Sequence, residues 1–310
     1  MVRAKIRRSR RGKIPLAAVV LIGTPLGIAP AVAAPQTFNT ALPVAEDQFV
    51  ARGQFLYRKI GDDPTPAGAT VNVLSGIAAM GYGVTADLAV FGILPYLDKT
   101  LKTMTPDGQH IARGSSGIGD FQIFERYTVY RRDAPGRTFR IAPFVGVKMP
   151  TGDDNKQDNL GILPMPLQTG TGSWDPFGGF VMTYQTLNYQ FDAQAAYKIN
   201  TAANNFAFGD EARLDASIQY RLYPRALGNG TPGFFYGVIE TNLVHQGKNK
   251  TNGASDPNSG GTAFFVSPGV QYVTKRWILE AIVQVPVVQD LNGTALKDDF
   301  ILRAGFRVNF

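Results

Sequence analysis

The sequence predicts an all-β fold: a closed antiparallel transmembrane β-barrel of about 12 strands behind an N-terminal signal peptide. Three observations point there. Hydrophobicity alternates with period two rather than 3.6, the clearest runs are 11 to 13 residues long, and the chain opens on an export-type segment. Soluble strands usually stop at about five or six residues, whereas a strand tilted across a bilayer needs about 9–11.

Residues 1–33 have the three parts of a signal peptide. A cationic stretch runs from Arg3 to Lys13, an apolar run from Ile14 to about Ala29, and Ala31-Val32-Ala33 offers a small-x-small site cut after Ala33. Gly23, Pro25 and Gly27 make the apolar run a poor spanning helix, and Gly12-Lys13 stands where a twin-arginine signal wants bulky apolar residues. The formal charge of +7 belongs to this segment. Its seven basic residues face no acidic one, and without them 24 Lys and Arg balance 24 Asp and Glu. No basic face remains for nucleic acid. The absence of cysteine excludes a disulfide framework, a thiolate nucleophile and a thiolate metal site.

Residues 34–47 are expected to form a periplasmic N-terminal segment, a possible plug, and residues 48–310 the barrel. Leu187, Tyr189, Phe191, Ala193, Ala195, Tyr197 and Ile199 alternate with mostly polar partners. The run from Glu211 to Leu222 and the run from Phe300 to Phe310 behave alike. Twelve segments fit, near 48–59, 70–81, 84–94, 117–130, 138–149, 175–184, 187–199, 209–222, 234–246, 262–273, 276–287 and 299–310. An even count suits a bacterial outer-membrane barrel with both ends in the periplasm. The connections agree. The long ones, around Asp98–Ser115, Thr151–Trp174 and Gly247–Gly260, fall on one side. Tight turns at Tyr82-Gly83, Gln185-Thr186 and Thr274-Lys275 fall on the other, where only Tyr223–Gly233 is long. Closure is needed because an unpaired backbone group in hydrocarbon costs several kcal/mol.

Some residues fit this pattern poorly. Pro143, Pro268 and Pro286 fall inside proposed strands and call for bulges or strand ends. Glu125 falls on the apolar face if Asp120, Gln122, Arg126 and Thr128 face inward, which calls for a register shift at Phe124-Glu125 or different strand limits.

The chain ends on Phe310, with Phe306 and Val308 in the same alternating row. This resembles the C-terminal signature read by the barrel-assembly machinery, the expected partner in folding alongside outer-membrane lipid. Three glycine-rich pieces mark strand–loop junctions: Gly117, Gly119 and Asp120; Pro150, Gly152 and Asp153; Gly170, Gly172, Trp174, Asp175 and Pro176. Turn chemistry by itself accounts for such residues. In these pieces, above all the last, the chain resembles over roughly residues 45–310 the outer-membrane family named for the meta-pathway of phenol degradation. The resemblance implies a barrel that passes hydrophobic or aromatic compounds. It brings no binding residues.

Catalysis finds little support. The only histidines are His110 and His245; Ser217 and Ser267 are conceivable nucleophiles, but nothing places His245 beside them. No nucleotide, zinc or calcium motif occurs, so no cofactor and no metal are expected; Asp153, Asp154 and Asp158 could at most hold a divalent cation weakly in a solvated loop.

The inward positions collect Arg52, Arg58, Arg126, Arg140, Lys148, Lys198, Arg213, Arg221, Arg303 and Arg307 with Asp87, Asp120, Asp192, Glu211, Asp215, Glu240 and Glu280. They predict a narrow, slightly cationic lumen lined by an ionic network, between filled eight-stranded barrels and wide porins. Thr151–Trp174 or the segment Ala34–Asp47 would occlude it in part. The expected function is passive passage of a small hydrophobic or aromatic solute through the outer membrane of a diderm bacterium. The alternatives are a structural or adhesive barrel and, further off, an outer-membrane hydrolase or a secreted β-sandwich.

Overall fold

The computed structural model describes residues 33–225 and 233–310. The proposed signal peptide, Ala33 apart, lies outside the described residues.

Twelve antiparallel strands close a barrel: β1 (Phe49–Gly61), β2 (Thr70–Gly83), β3 (Leu88–Met104), β4, β5 (Arg137–Lys148), β6 (Asp175–Thr186), β7 (Tyr189–Lys198), β8 (Glu211–Tyr223), β9 (Phe234–Gln246), β10 (Gly261–Val273), β11 (Trp277–Leu291) and β12 (Lys297–Asn309). Strand β4 is interrupted twice, into β4a (His110–Ile118), β4b (Gln122–Tyr127) and β4c (Tyr130–Ala134). Each strand pairs with its sequence neighbours, and β1 pairs with β12 from Val50↔Asn309 to Gly61↔Lys297. At the seam the Phe49 amide donates to the Phe310 carbonyl (2.7 Å) and the Phe310 amide to that of Phe49 (2.9 Å). The first and last strands therefore pair with each other and present no open end to hydrocarbon.

The outer face is apolar. Phe55, Met80, Tyr96, Val145, Phe180 and Leu214 are all exposed, as lipid contact requires. Aromatic pairs mark the periplasmic rim: Phe49 against Tyr82 (4.7 Å between centroids) and Phe310 (5.8 Å), and Tyr272 against Trp277 (5.6 Å). Amphipathic rings prefer this interfacial depth.

Several expectations need correcting. The supposed loop Asp98–Ser115 is mostly strand: β3 reaches Met104, β4a begins at His110, and the connection is the turn 105–109. There Asp98 faces Ser116, Lys99 faces Ser115, Leu101 faces Arg113 and Lys102 faces Ala112, a hairpin too polar on both faces to show lipid-type alternation. The turns placed at Tyr82-Gly83 and Gln185-Thr186 are strand ends; the chain reverses at 84–87 and 187–188.

Glu125 stands exposed on the outer face, paired in register with Val90 and Val145 without any shift at Phe124-Glu125; the breaks come at 119–121 and 128–129 instead. The prolines sit where ladders lapse. Pro143 lies opposite the break between β4b and β4c, and Pro95 opposite the break between β4a and β4b. The β10–β11 ladder skips Ser267 and Pro268, and it shifts register at Pro286. A residue with no N–H loses nothing at such points.

Candidate functional site in the barrel lumen

Two parts of the chain enter the barrel. The first is the N-terminal segment. Residues 33–42 contain no charged side chain, and Ala33, Ala34, Gln36, Ala41 and Leu42 are all buried inside the sheet. Ala33 packs with Val273 and Ile278. The Glu240 carboxylate of β9 accepts from the Gln36 amide (2.7 Å), the Thr37 amide (3.0 Å) and the Thr37 hydroxyl (2.5 Å). Across the lumen, Thr183 of β6 accepts from the Ala41 amide (2.8 Å), and the Thr40 hydroxyl donates to Asp192 of β7 (2.9 Å). Arg126 of β4b donates to the Asn39 side chain (2.7 Å) and to the carbonyls of Thr40 and Leu42 (each 2.5 Å). Arg52 and Gln54 of β1 donate to the Gln36 carbonyl. The chain then returns to the rim, where Asp47 donates its amide to Gly83 (2.9 Å), and enters β1.

The second is the connection between β5 and β6, residues 149–174. The three glycine-rich pieces meet at its base. Asp120 accepts from the amides of Gly152 (3.0 Å) and Thr171 (2.9 Å) and lies 3.2 Å from the Lys148 ammonium, which also pairs with Asp175 at 2.5 Å. Gly152 and Gly170 touch backbone to backbone: a Cβ on Gly170 would overlap the Gly152 carbonyl. Gly119 lies against Pro95 and Thr169, and the Asp153 carbonyl accepts from Gly170 (2.7 Å). These glycines are more than turn formers, because they let three segments close on one buried ion cluster. Trp174 and Pro176 stay exposed. Further out, Lys99 donates to the carbonyls of Pro166 and Gln168, Ser115 to that of Leu167, and Arg113 forks onto Asp158 (both 2.8 Å). The Arg113 guanidinium holds the Asp158 carboxyl below the usual carboxylate range.

The wall splits into two characters. On β1 and β7–β12 it is ionic. Arg52 pairs with Glu280 (2.5 Å), Arg58 with Asp298 (2.5 Å), Arg213 with Asp215 (3.1 Å) and Glu211 (3.8 Å), and Lys198 with Glu211 (3.8 Å). Arg303 donates to Gln284 and Gln54, and Arg221 to Asn188. Arg307, half-buried on the β12 row, and Arg140, 3.4 Å from Asp133 near the periplasmic end, complete the inward cations. On β3–β6 the same face is aromatic. Phe91 stacks on Phe124 (4.7 Å, 11°), and Phe124 meets Phe144 (6.2 Å) and Phe177 (6.1 Å). The Arg126 guanidinium carbon lies 4.8 Å over the Phe91 ring. Ala41 of the segment packs with Ala142 and Val181, against Phe144.

Asp87 departs from its expected place. It lies half-buried in the 84–87 turn, 3.5 Å from Arg131, because the turn falls two residues later than the alternation placed it. Asp175 and Asp298 supply inward carboxylates that the expected set lacked, Asp298 because its strand begins earlier than residue 299. The aromatic wall was also missed, although Phe124 lies between inward Gln122 and Arg126, and Phe144 on the row of Arg140 and Lys148. His245 bonds Thr262 on the outer side, whereas Ser217 and Ser267 are buried inward, so they do not converge. Asp153, Asp154 and Asp158 are tied separately to Lys156, Asn204 and Arg113. Among the described residues no group of three or more such side chains could hold a metal ion.

The fold is similar to that of the COG4313 outer membrane channel from Pseudomonas putida F1 (TM-score 0.63, 15% identity, 90% of this chain and 100% of that one). A weaker likeness joins it to the β domain of the Bordetella autotransporter BrkA (TM-score 0.45, 13% identity, 86% of this chain and 100% of that one). A comparison with curated proteins finds no match. The family described as "Putative MetA-pathway of phenol degradation" matches residues 59–287. Because that match spans most of an outer-membrane barrel, the chain belongs to this phenol-degradation family.

Proposed function

We propose that the barrel is a passive channel for small hydrophobic or aromatic solutes, held closed by its N-terminal segment. The observation that carries this reading is the pairing of an aromatic wall with an uncharged, hydrogen-bonded segment lying across the lumen. A structural barrel needs neither, since charges paired across the interior would fill it. The segment's contacts are hydrogen bonds to neutral backbone, each worth only about 0.5–1.5 kcal/mol net, or about 1.5–3 to a charged group. They can be exchanged for contacts with water or solute. The family's link to phenol degradation supports the solute class, and the channel description of the Pseudomonas relative supports passage. No motif couples passage to an energy source, so movement follows the gradient.

The test is growth of a gene-deletion strain on a panel of aromatic carbon sources, together with planar-bilayer conductance of the purified barrel. Slower growth on aromatic substrates, restored by the wild-type gene, is expected. Unchanged growth together with no channel events would favour a structural or adhesive role.

A further inference from the structure

The N-terminal segment also shows what kind of solute the aromatic wall is shaped to take. Arg126 is held differently from the ion-paired cations of the wall. Arg52, Arg58, Lys148 and Arg213 each touch a carboxylate. Arg126, like Arg221 and Arg303, donates to neutral acceptors, but those of Arg126 all come from residues 39–42 of the inserted segment. Two of these are carbonyl oxygens, one on Nη1 and one on Nη2. Two oxygens placed across the guanidinium fork reproduce the way a carboxylate binds arginine. Beside them the Phe91 and Phe124 rings stack, with Phe144 and Phe177 edging the same surface, and Ala41 fills the space against Phe144. The neighbouring acid, Asp192, is occupied by the hydroxyls of Thr40 and Thr183 and the amide of Gln190.

We propose that Arg126 with Phe91, Phe124 and Phe144 forms a binding subsite for an aromatic ring bearing a carboxylate, and that residues 40–42 occupy it as an internal surrogate. The proposal rests on the channel reading and narrows its solute class to aryl carboxylates. When the segment withdraws, Arg126 loses its acceptors, and water or a solute must replace them. A benzoate-like solute restores both oxygens and lays its ring on the phenylalanines. A neutral aromatic solute restores only the ring contact. An aliphatic acid restores only the oxygens.

The experiment uses the full-length barrel in detergent, with folding checked by heat-modifiable migration. Binding of 4-fluorobenzoate and 4-fluorobenzyl alcohol is followed by fluorine NMR. Benzoate is expected to bind in preference to the alcohol. Arg126→Gln should weaken benzoate by about tenfold or more, the scale of a lost charge-assisted fork, and leave the alcohol unchanged. Glu240→Ala, which frees the segment at Gln36 and Thr37 and leaves the Arg126 contacts in place, should strengthen benzoate. If Arg126→Gln does not fold, Arg126→Lys keeps the charge without the fork and should lose part of the preference. Equal binding of the two probes, or a preference untouched in the folded Arg126 variant, overturns the subsite. Selective benzoate binding in a barrel that shows no conductance would leave the subsite standing and remove the channel reading. Conductance without benzoate preference would do the reverse.

Discussion

The two parts of the chain that enter the barrel are held in opposite ways. The 149–174 connection is fixed by full charges: Lys148 lies between Asp120 and Asp175, with glycine backbones pressed together beside them. The N-terminal segment has no charged side chain over residues 33–42 and is held by wall groups reaching its backbone. Breaking the first leaves buried carboxylates unpaired, at about 3–5 kcal/mol. Releasing the second exchanges one set of hydrogen bonds for another. The connection is therefore a permanent part of the mouth, and the segment is the part that can leave.

The largest effect that would sharpen this contrast is Lys148→Ala. It should destabilise the barrel by about 3–5 kcal/mol, seen as a lower melting point in heat-modifiable migration and as new protease cuts between residues 151 and 174. Gly170→Ala comes next, since its Cβ would meet the Gly152 carbonyl; overpacking of this kind costs about 1–3 kcal/mol, and the same protease assay reads it. Glu240→Ala should leave stability nearly unchanged and raise bilayer conductance, because it removes three acceptor contacts from the segment alone. If Glu240→Ala opened the connection to protease instead, the two regions would be coupled and the contrast would fail.

The smallest effect is on pH. Arg113 lowers the Asp158 pKa, so this pair favours the packed connection fully above the unfolded carboxylate value of about 4. The contribution is lost as pH falls through the native value. Amide exchange over residues 156–163 should quicken only in that acid range.

Much of the barrel was legible in the sequence. Long period-two runs, an even count and short turns on one side required closure, because an open edge in lipid is unaffordable. The β3–β4 hairpin was not legible, since Lys99–Thr103 and Ala112–Ser116 carry no apolar row. The Asp120–Lys148–Asp175 cluster could not be read either: its members are 28 and 27 residues apart along the chain and meet only when three strands converge. The inserted segment is quieter still. Gln36, Thr37 and Thr40 have no period, and their partners Glu240, Asp192 and Arg126 look like any other inward charge until the fold brings them together.

The chain contains no cysteine, which makes a lock simple to build. Ala41 in the segment and Ala142 on β5 pack together, both fully buried. An Ala41→Cys, Ala142→Cys pair can therefore be oxidised and reduced in the bilayer while conductance is recorded. Closure under oxidation and recovery on adding reductant are expected if the segment is the gate. Equal conductance in both states, with the disulfide confirmed by mass, would contradict it.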